Sequence, residues 1–166
     1  MAMVDVIKKS DLFGALGTEH LDAVATYSRG NSYREGDIIF REGDIAEELY
    51  ILMEGRIVLE MNVQPVPTRP PIPTALEVVS KDEFFGWSAL VEPHVFTLSA
   101  RCLLPCTAVA IKGDMLRKTM SSDPVLGFEV TKKLSQLLSL RLANTRLRLI
   151  NGIGLTLFNT ELLAVG

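Results

Sequence analysis

Between residues 33 and 63 the chain breaks into short β-rich runs punctuated by glycine turns, a texture that leaves few folds open. Asp37–Phe40, Glu48–Leu52 and Arg56–Glu60 are separated by Gly36-Asp37, Gly43-Asp44 and Glu54-Gly55. Short strands at roughly eight-to-ten-residue spacing with such turns predict an antiparallel sandwich or barrel. Further strands are expected at Leu76–Val79, Thr97–Cys102 and Ala108–Ile111. Between them, residues 63–73 hold five prolines: Pro65, Pro67, Pro70, Pro71 and Pro73. Proline cannot donate to a ladder, so this stretch reads as a stiff polyproline-like hairpin tip.

Helices flank the β region. Residues 4–28 read as helical, with Thr18 as the N-cap of a short helix carrying Leu21, Val24 and Ala25, and with His20 facing solvent. A second short helix starts at Asp114. Ser121-Ser-Asp-Pro then opens a long one, with Asp123 capping and Pro124 in the first helical position. Asn151-Gly152 is the expected stop. About 27 residues at 1.5 Å each reach roughly 40 Å, more than one compact domain needs. Leu134, Leu138, Leu142, Thr145 and Leu149 recur along this helix, with Leu137 alongside, and such a stripe must be covered. The expectation is a homodimer through residues 124–150. Beyond it, Leu155, Leu157, Phe158, Leu162 and Leu163 make residues 151–166 an apolar tail expected to pack on the domain or on its partner.

Composition narrows the setting. The chain has 166 residues, about one domain, with 48% hydrophobic and 22% charged residues. It has neither an uninterrupted apolar run of about 18 residues nor an N-terminal apolar segment, so no membrane association and no secretion are expected. Two cysteines, Cys102 and Cys106, argue against a disulfide scaffold and fit a reducing, cytoplasmic setting. They read as buried small residues, and neither they nor His20 and His94 carry metal or haem spacing. Residues 127–150 hold Lys132, Lys133, Arg141, Arg146 and Arg148 against Glu129, a local excess of cations in a chain of net charge −3. Cations along one helix fit a solvated face or an acidic partner better than a groove reader. No paired carboxylates, nucleophile elbow or base at motif spacing is present, so the chain is not expected to be an enzyme.

The order of motifs is specific when taken together. Arg34-Glu-Gly-Asp37, Arg41-Glu-Gly-Asp44, Leu49-Tyr-Ile-Leu52, Glu54-Gly-Arg56 and then Phe85-Gly86 resemble the cyclic nucleotide-binding domain of the catabolite activator (Crp/Fnr) superfamily. The resemblance covers roughly residues 10–150. It implies a mainly β fold: a double-stranded β-helix, or jelly-roll-like β-roll, with flanking helices and a long C-terminal dimerisation helix. The implied division is residues 1–112 for the N-terminal helical segment and roll, 113–150 for the short and long helices, and 151–166 for the tail. Relatives that read DNA add a helix-turn-helix after the long helix. Residues 151–166 are too short for one and carry no cation, so this chain alone is not expected to bind DNA.

The resemblance also places a site. In the family, a Phe-Gly-Glu-x-Ala-Leu turn and a following Pro-Arg-Ala-Ala hold the cyclic phosphate. The glycine admits the backbone, the short helix offers N–H groups, the Glu accepts from the ribose 2′-OH, and the Arg pairs with the phosphate. Here the segment runs from Phe85 to Cys102, and Gly86, Ser88, Ala89 and Leu90 keep the turn. Trp87 stands at the Glu position and Phe96, just before Thr97, at the Arg position. Indole has only a donor, and phenyl has neither donor nor charge. Losing two charged hydrogen bonds costs roughly 3–6 kcal/mol, which turns a micromolar affinity into a millimolar one or weaker. The expected binding residues are Phe85, Gly86, Trp87, Ser88, Ala89, Leu90, Phe96, Thr97 and Arg101, with Arg101 and His94 as side chains able to supply a replacement contact. No cofactor is certain. A cyclic nucleotide or another small anionic or aromatic ligand is the candidate occupant. Three readings stay open: a regulatory small-ligand sensor with weak or no cAMP and cGMP binding, a ligand-free module for dimerisation and for an unknown protein partner, or the effector part of a transcription regulator lacking its DNA-binding domain.

Overall fold

The computed structural model describes residues 2–164, with side chains through Gly152. It divides into two units, residues 1–130 and 131–166. In the first, α1 (Met3–Lys9) and α2 (Thr18–Ala25) precede eight strands: β1 (Ser28–Tyr33), β2 (Ile38–Phe40), β3 (Glu48–Glu54), β4 (Ile57–Val63), β5 (Ile72–Val79), β6 (Phe84–Phe85), β7 (Ser99–Cys102) and β8 (Cys106–Lys112). Two helices follow, α3 (Gly113–Ser122) and α4 (Pro124–Ala164). The strands form two four-stranded sheets, ordered β1-β8-β3-β6 and β2-β7-β4-β5, with every pairing antiparallel. This is the expected jelly-roll arrangement, in which two sheets share one core and successive strands alternate between them except at the β4–β5 hairpin.

The two Arg-Glu-Gly-Asp turns explain how the chain crosses between sheets. Gly36 and Gly43 take φ of 84° and 89°, a left-handed conformation that glycine adopts without strain. In each turn the aspartate carboxylate accepts from the arginine N–H, Asp37 from Arg34 at 2.7 Å and Asp44 from Arg41 at 3.1 Å. Each turn also grips a later residue by two backbone bonds. Gly36 N–H donates to Cys102 O and Cys102 N–H to Asp37 O; Gly43 N–H donates to Phe96 O and Phe96 N–H to Asp44 O.

Register sets which side chains look inward. Phe40 and Leu59 both pair with Ala100, so these three share one face of the second sheet. Tyr50 pairs directly with Phe85 on the first sheet. Rings from the two sheets meet, with Phe40 5.7 Å from Tyr50 and 6.0 Å from Phe85, so these faces line the inside of the roll. Arg101 pairs with Val58, one residue out of phase, and therefore lies on the outer face.

Several local expectations are corrected. The span 4–28 is two short helices, and Gly17 rather than Thr18 precedes α2. β1 begins at Ser28. β5 starts at Ile72, so the proline-rich tip shortens to residues 64–71; Pro73 is accommodated because β5 is an edge strand. His20 does not simply face solvent: its Nε2 lies 3.0 Å from Asp123 Oδ2. That aspartate caps α4 as expected, accepting from the N–H groups of Val125 and Leu126. These bonds, Leu126 first, hold its carboxyl below the usual carboxylate range, with His20 adding to them.

The second unit is the continuation of α4, which does not stop at Asn151-Gly152 but runs to Ala164. Gly152 and Gly154 each cost only about 1 kcal/mol inside a helix, too little to force a stop. Leu142 and Leu149 of the apolar stripe are 50% and 62% exposed. The packing expected of Leu155, Leu157, Phe158, Leu162 and Leu163 lies outside the described residues. Among those described, no helix is long and apolar enough to cross a membrane.

Candidate functional site

The site begins where β6 ends. Phe84 and Phe85 are fully buried, and Gly86 turns the chain with φ 77° and ψ 29°. A β-carbon at Gly86 would lie 3.2 Å from the Tyr50 ring, 3.3 Å from the Phe96 ring and 3.4 Å from Glu48 O, so both conformation and space favour glycine. Trp87–Leu90 then form a 3-10 turn, with Ala89 N–H bonded to Gly86 O at 3.1 Å and Val91 N–H to Ser88 O at 3.2 Å. Ser88 and Ala89 are buried, while Trp87 and Leu90 are half-buried. The turn is braced from behind. Arg117 of α3 donates to Ala89 O, and Gly113 sits so close to Ala89 that a β-carbon there would lie 2.9 Å from Ala89 O.

Aromatic rings fill the other side of the turn. Phe96 is 5% exposed, and its ring lies parallel to Phe40, with centroids 3.7 Å apart and planes inclined by 9°. Tyr50 and Phe85 stack behind them at 5.2 Å and 19°. What remains is a cavity of about 20 Å³ among Phe40, Leu59, Gly86, Trp87, Ser88, Phe96, Thr97 and Leu98. One water needs about 10–15 Å³, whereas small-molecule sites offer roughly 300–1,000 Å³. The space is of the order of one water.

The electrostatics agree. Among the described residues, no charged side chain lines this cavity. The Tyr50 hydroxyl donates to Glu48 Oε2 at 3.3 Å, and burial, then the Glu48 charge, pushes its phenol well above the usual range. Glu48 is in turn paired with Arg29 at 3.0 Å. A wider cleft of about 570 Å³ opens beside α3, among Arg29, Glu47, Glu48, Lys112, Asp114 and Arg117. His94 also lines it, so the cleft mixes basic and acidic side chains, and its Arg29 is already paired with Glu48.

The structure brings Gly86, Trp87, Ser88, Phe96 and Thr97 together around the small cavity, and Phe85, Ala89 and Leu90 support it from the strand and the turn. Arg101 is not brought there. Its guanidinium grips Glu60 by two bonds, Nε to Oε1 at 3.1 Å and Nη2 to Oε2 at 2.8 Å, and this pairing holds its proton more firmly. His94 takes φ 56° and turns Nδ1 toward Ser88 O at 3.3 Å, behind the turn. Sequence reasoning missed Phe40, Tyr50 and Leu59. Each sits in a strand that was expected, but only sheet pairing shows that their faces converge on Phe96. Cys102 and Cys106 are buried and free, and burial, with a hydrogen bond to Cys106, pushes the Cys102 thiol up to about 12. Among the described residues, no three His, Cys, Asp or Glu side chains are placed to hold a metal ion.

Comparison with known proteins bears on this geometry. The family described as "Cyclic nucleotide-binding domain" matches residues 31–123. A CRP-like cAMP-activated global transcriptional regulator of Mycobacterium tuberculosis is 22% identical over 143 residues, covering 86% of this chain and 60% of the regulator. The chain thus spans somewhat under two thirds of that relative's length. Among solved structures, a candidate cyclic nucleotide-binding protein from Geobacter metallireducens superposes with a TM-score of 0.74 at 27% identity, covering 86% of this chain and 99% of the other. The catabolite activator protein of Thermus thermophilus superposes with a TM-score of 0.68 at 24% identity, covering 84% and 62%.

Proposed function

The chain belongs to the cyclic nucleotide-binding domain family, and from that premise we propose that it is a regulatory domain with weak or no cAMP and cGMP binding. One observation carries the reading. Where the family holds a ribose and a cyclic phosphate, Trp87 and Phe96 supply neither acceptor nor cation, and about 20 Å³ is left. The ribose acceptor and the phosphate cation contribute about 1.5–3 kcal/mol each, so their absence alone removes micromolar affinity.

What such a domain passes on must then travel through its helices. The cassette turn is tied to α3 by Arg117 and by the close seat of Gly113 on Ala89. Beyond α3, α4 presents Leu142 and Leu149 exposed, a stripe suited to a second copy of the chain. The module therefore acts as a homodimer that offers its surface to a protein partner. The relatives' activation by cAMP and control of transcription belong to longer chains.

Calorimetry tests the reading. Titration of the folded wild-type chain with cAMP, and separately with cGMP, is expected to give no saturable heat at micromolar nucleotide. A saturating isotherm with a dissociation constant in the micromolar range would overturn it.

A further inference from the structure

Phe96 has an unusually constrained position for a loop residue. The second Arg-Glu-Gly-Asp turn pins its backbone on both sides: Gly43 N–H donates to its carbonyl at 2.8 Å, and its own N–H donates to Asp44 O at 2.9 Å. With the backbone fixed, the ring lies flat on Phe40 and is almost wholly buried. Its Cε1 is 3.3 Å from the place a β-carbon on Gly86 would take. The ring is thus wedged between β2 and the glycine that starts the cassette turn.

We propose that Phe96 is a built-in wedge of the site: its phenyl ring fills the space between Phe40 and Gly86 and holds the cassette turn in place without a ligand. The inference rests on the reading of the pocket as closed, and it adds what does the closing and with what chemistry. The slot beside Phe40 is lined without any charge and presents a flat aromatic wall. The Phe96 and Phe40 rings lie face to face, and a neutral ring buries its apolar surface there without leaving a charge unpaired. Vacated, the slot is matched to a neutral aromatic molecule and not to a phosphate.

Phe96→Ala deletes the ring and leaves an apolar hole, the kind of engineered cavity that stays dry and takes up a free aromatic. Hydrogen exchange is read at the amides of Ala89 and Val91, which close the cassette turn, and at Cys102, which is held by the first turn. Exchange at Ala89 and Val91 is expected to quicken by about tenfold or more, with Cys102 unchanged, and millimolar indole is expected to reverse it. Unchanged exchange at the turn in a folded variant would overturn the proposal, as would equal indole binding by the wild type. Where Phe96→Ala fails to fold, Phe96→Leu keeps most of the volume without the flat ring, and the same acceleration, smaller in size, is expected in the same place. A separate nucleotide titration of the wild type distinguishes the two ideas. Unchanged exchange without nucleotide binding overturns the wedge alone, and nucleotide binding with quickened exchange overturns the closed pocket alone.

Discussion

The turns at residues 34–37 and 41–44 carry the same four residues, the same left-handed glycine and the same aspartate-to-amide bond, yet they serve opposite ends of the design. The first grips Cys102, a small side chain inside the sheet pairing. The second grips Phe96, six residues earlier and outside any strand, and so lays its ring flat against Phe40. The repeat specifies backbone; the identity of the gripped residue decides what the backbone is used for. This is why the resemblance to ligand-binding relatives is strong in the turns and fails at the pocket.

The two ends are also sealed differently, and the strongest expected effect tests that. Near the first grip the seal is backbone. Gly55 has φ 97°, and a β-carbon there would lie 2.4 Å from Pro105 O and 2.7 Å from Cys106 Sγ. Gly55→Ala combines left-handed strain with overpacking and is expected to destabilise the fold by about 3 kcal/mol in denaturant titrations. Trp87, the only tryptophan, should keep its emission below the transition, because its end of the roll is not touched. A shifted native emission would mean that the two ends are not separate.

A smaller pair of changes compares the turns directly. Gly36 and Gly43 each have open space where a β-carbon would go, so alanine there meets only the cost of positive φ, about 1–2 kcal/mol. Gly36→Ala and Gly43→Ala should lower stability by similar amounts. Only Gly43→Ala should alter Trp87 emission, since it loosens the grip on Phe96. Equal spectral changes in both variants would break the distinction drawn between the turns.

How far this was legible from sequence depends on the kind of signal. The roll was legible because glycine turns between short β-rich runs act locally, and the resemblance implied a β-roll. β1 was not, because Ser-Arg-Gly-Asn-Ser-Tyr has almost no apolar residue; its ladder with β8 makes it a strand, not its composition. β6 is two residues long and offers no period to read. The helix stop at Asn151-Gly152 misled because capping residues are only a weak brake inside a long run of helix formers. At the site, Trp87 and Phe96 were visible as substitutions. Their consequence was not, since whether two aromatics line a pocket or fill it depends on Phe40, Tyr50 and Leu59, which come from distant strands. Arg101 likewise could point either way from sequence, and pairing with Val58 put it outside.

The central claim is that a family backbone survives here behind two side chains that close it. The double variant Trp87→Glu with Phe96→Arg restores an acceptor and a cation on the unchanged Gly86 turn. Calorimetry of that folded variant with cAMP is expected to show affinity at least about tenfold above wild type, a small part of the roughly 3–6 kcal/mol that two such contacts contribute, because burying both charges also carries a desolvation cost. A folded double variant that binds cAMP no better than wild type would contradict the claim.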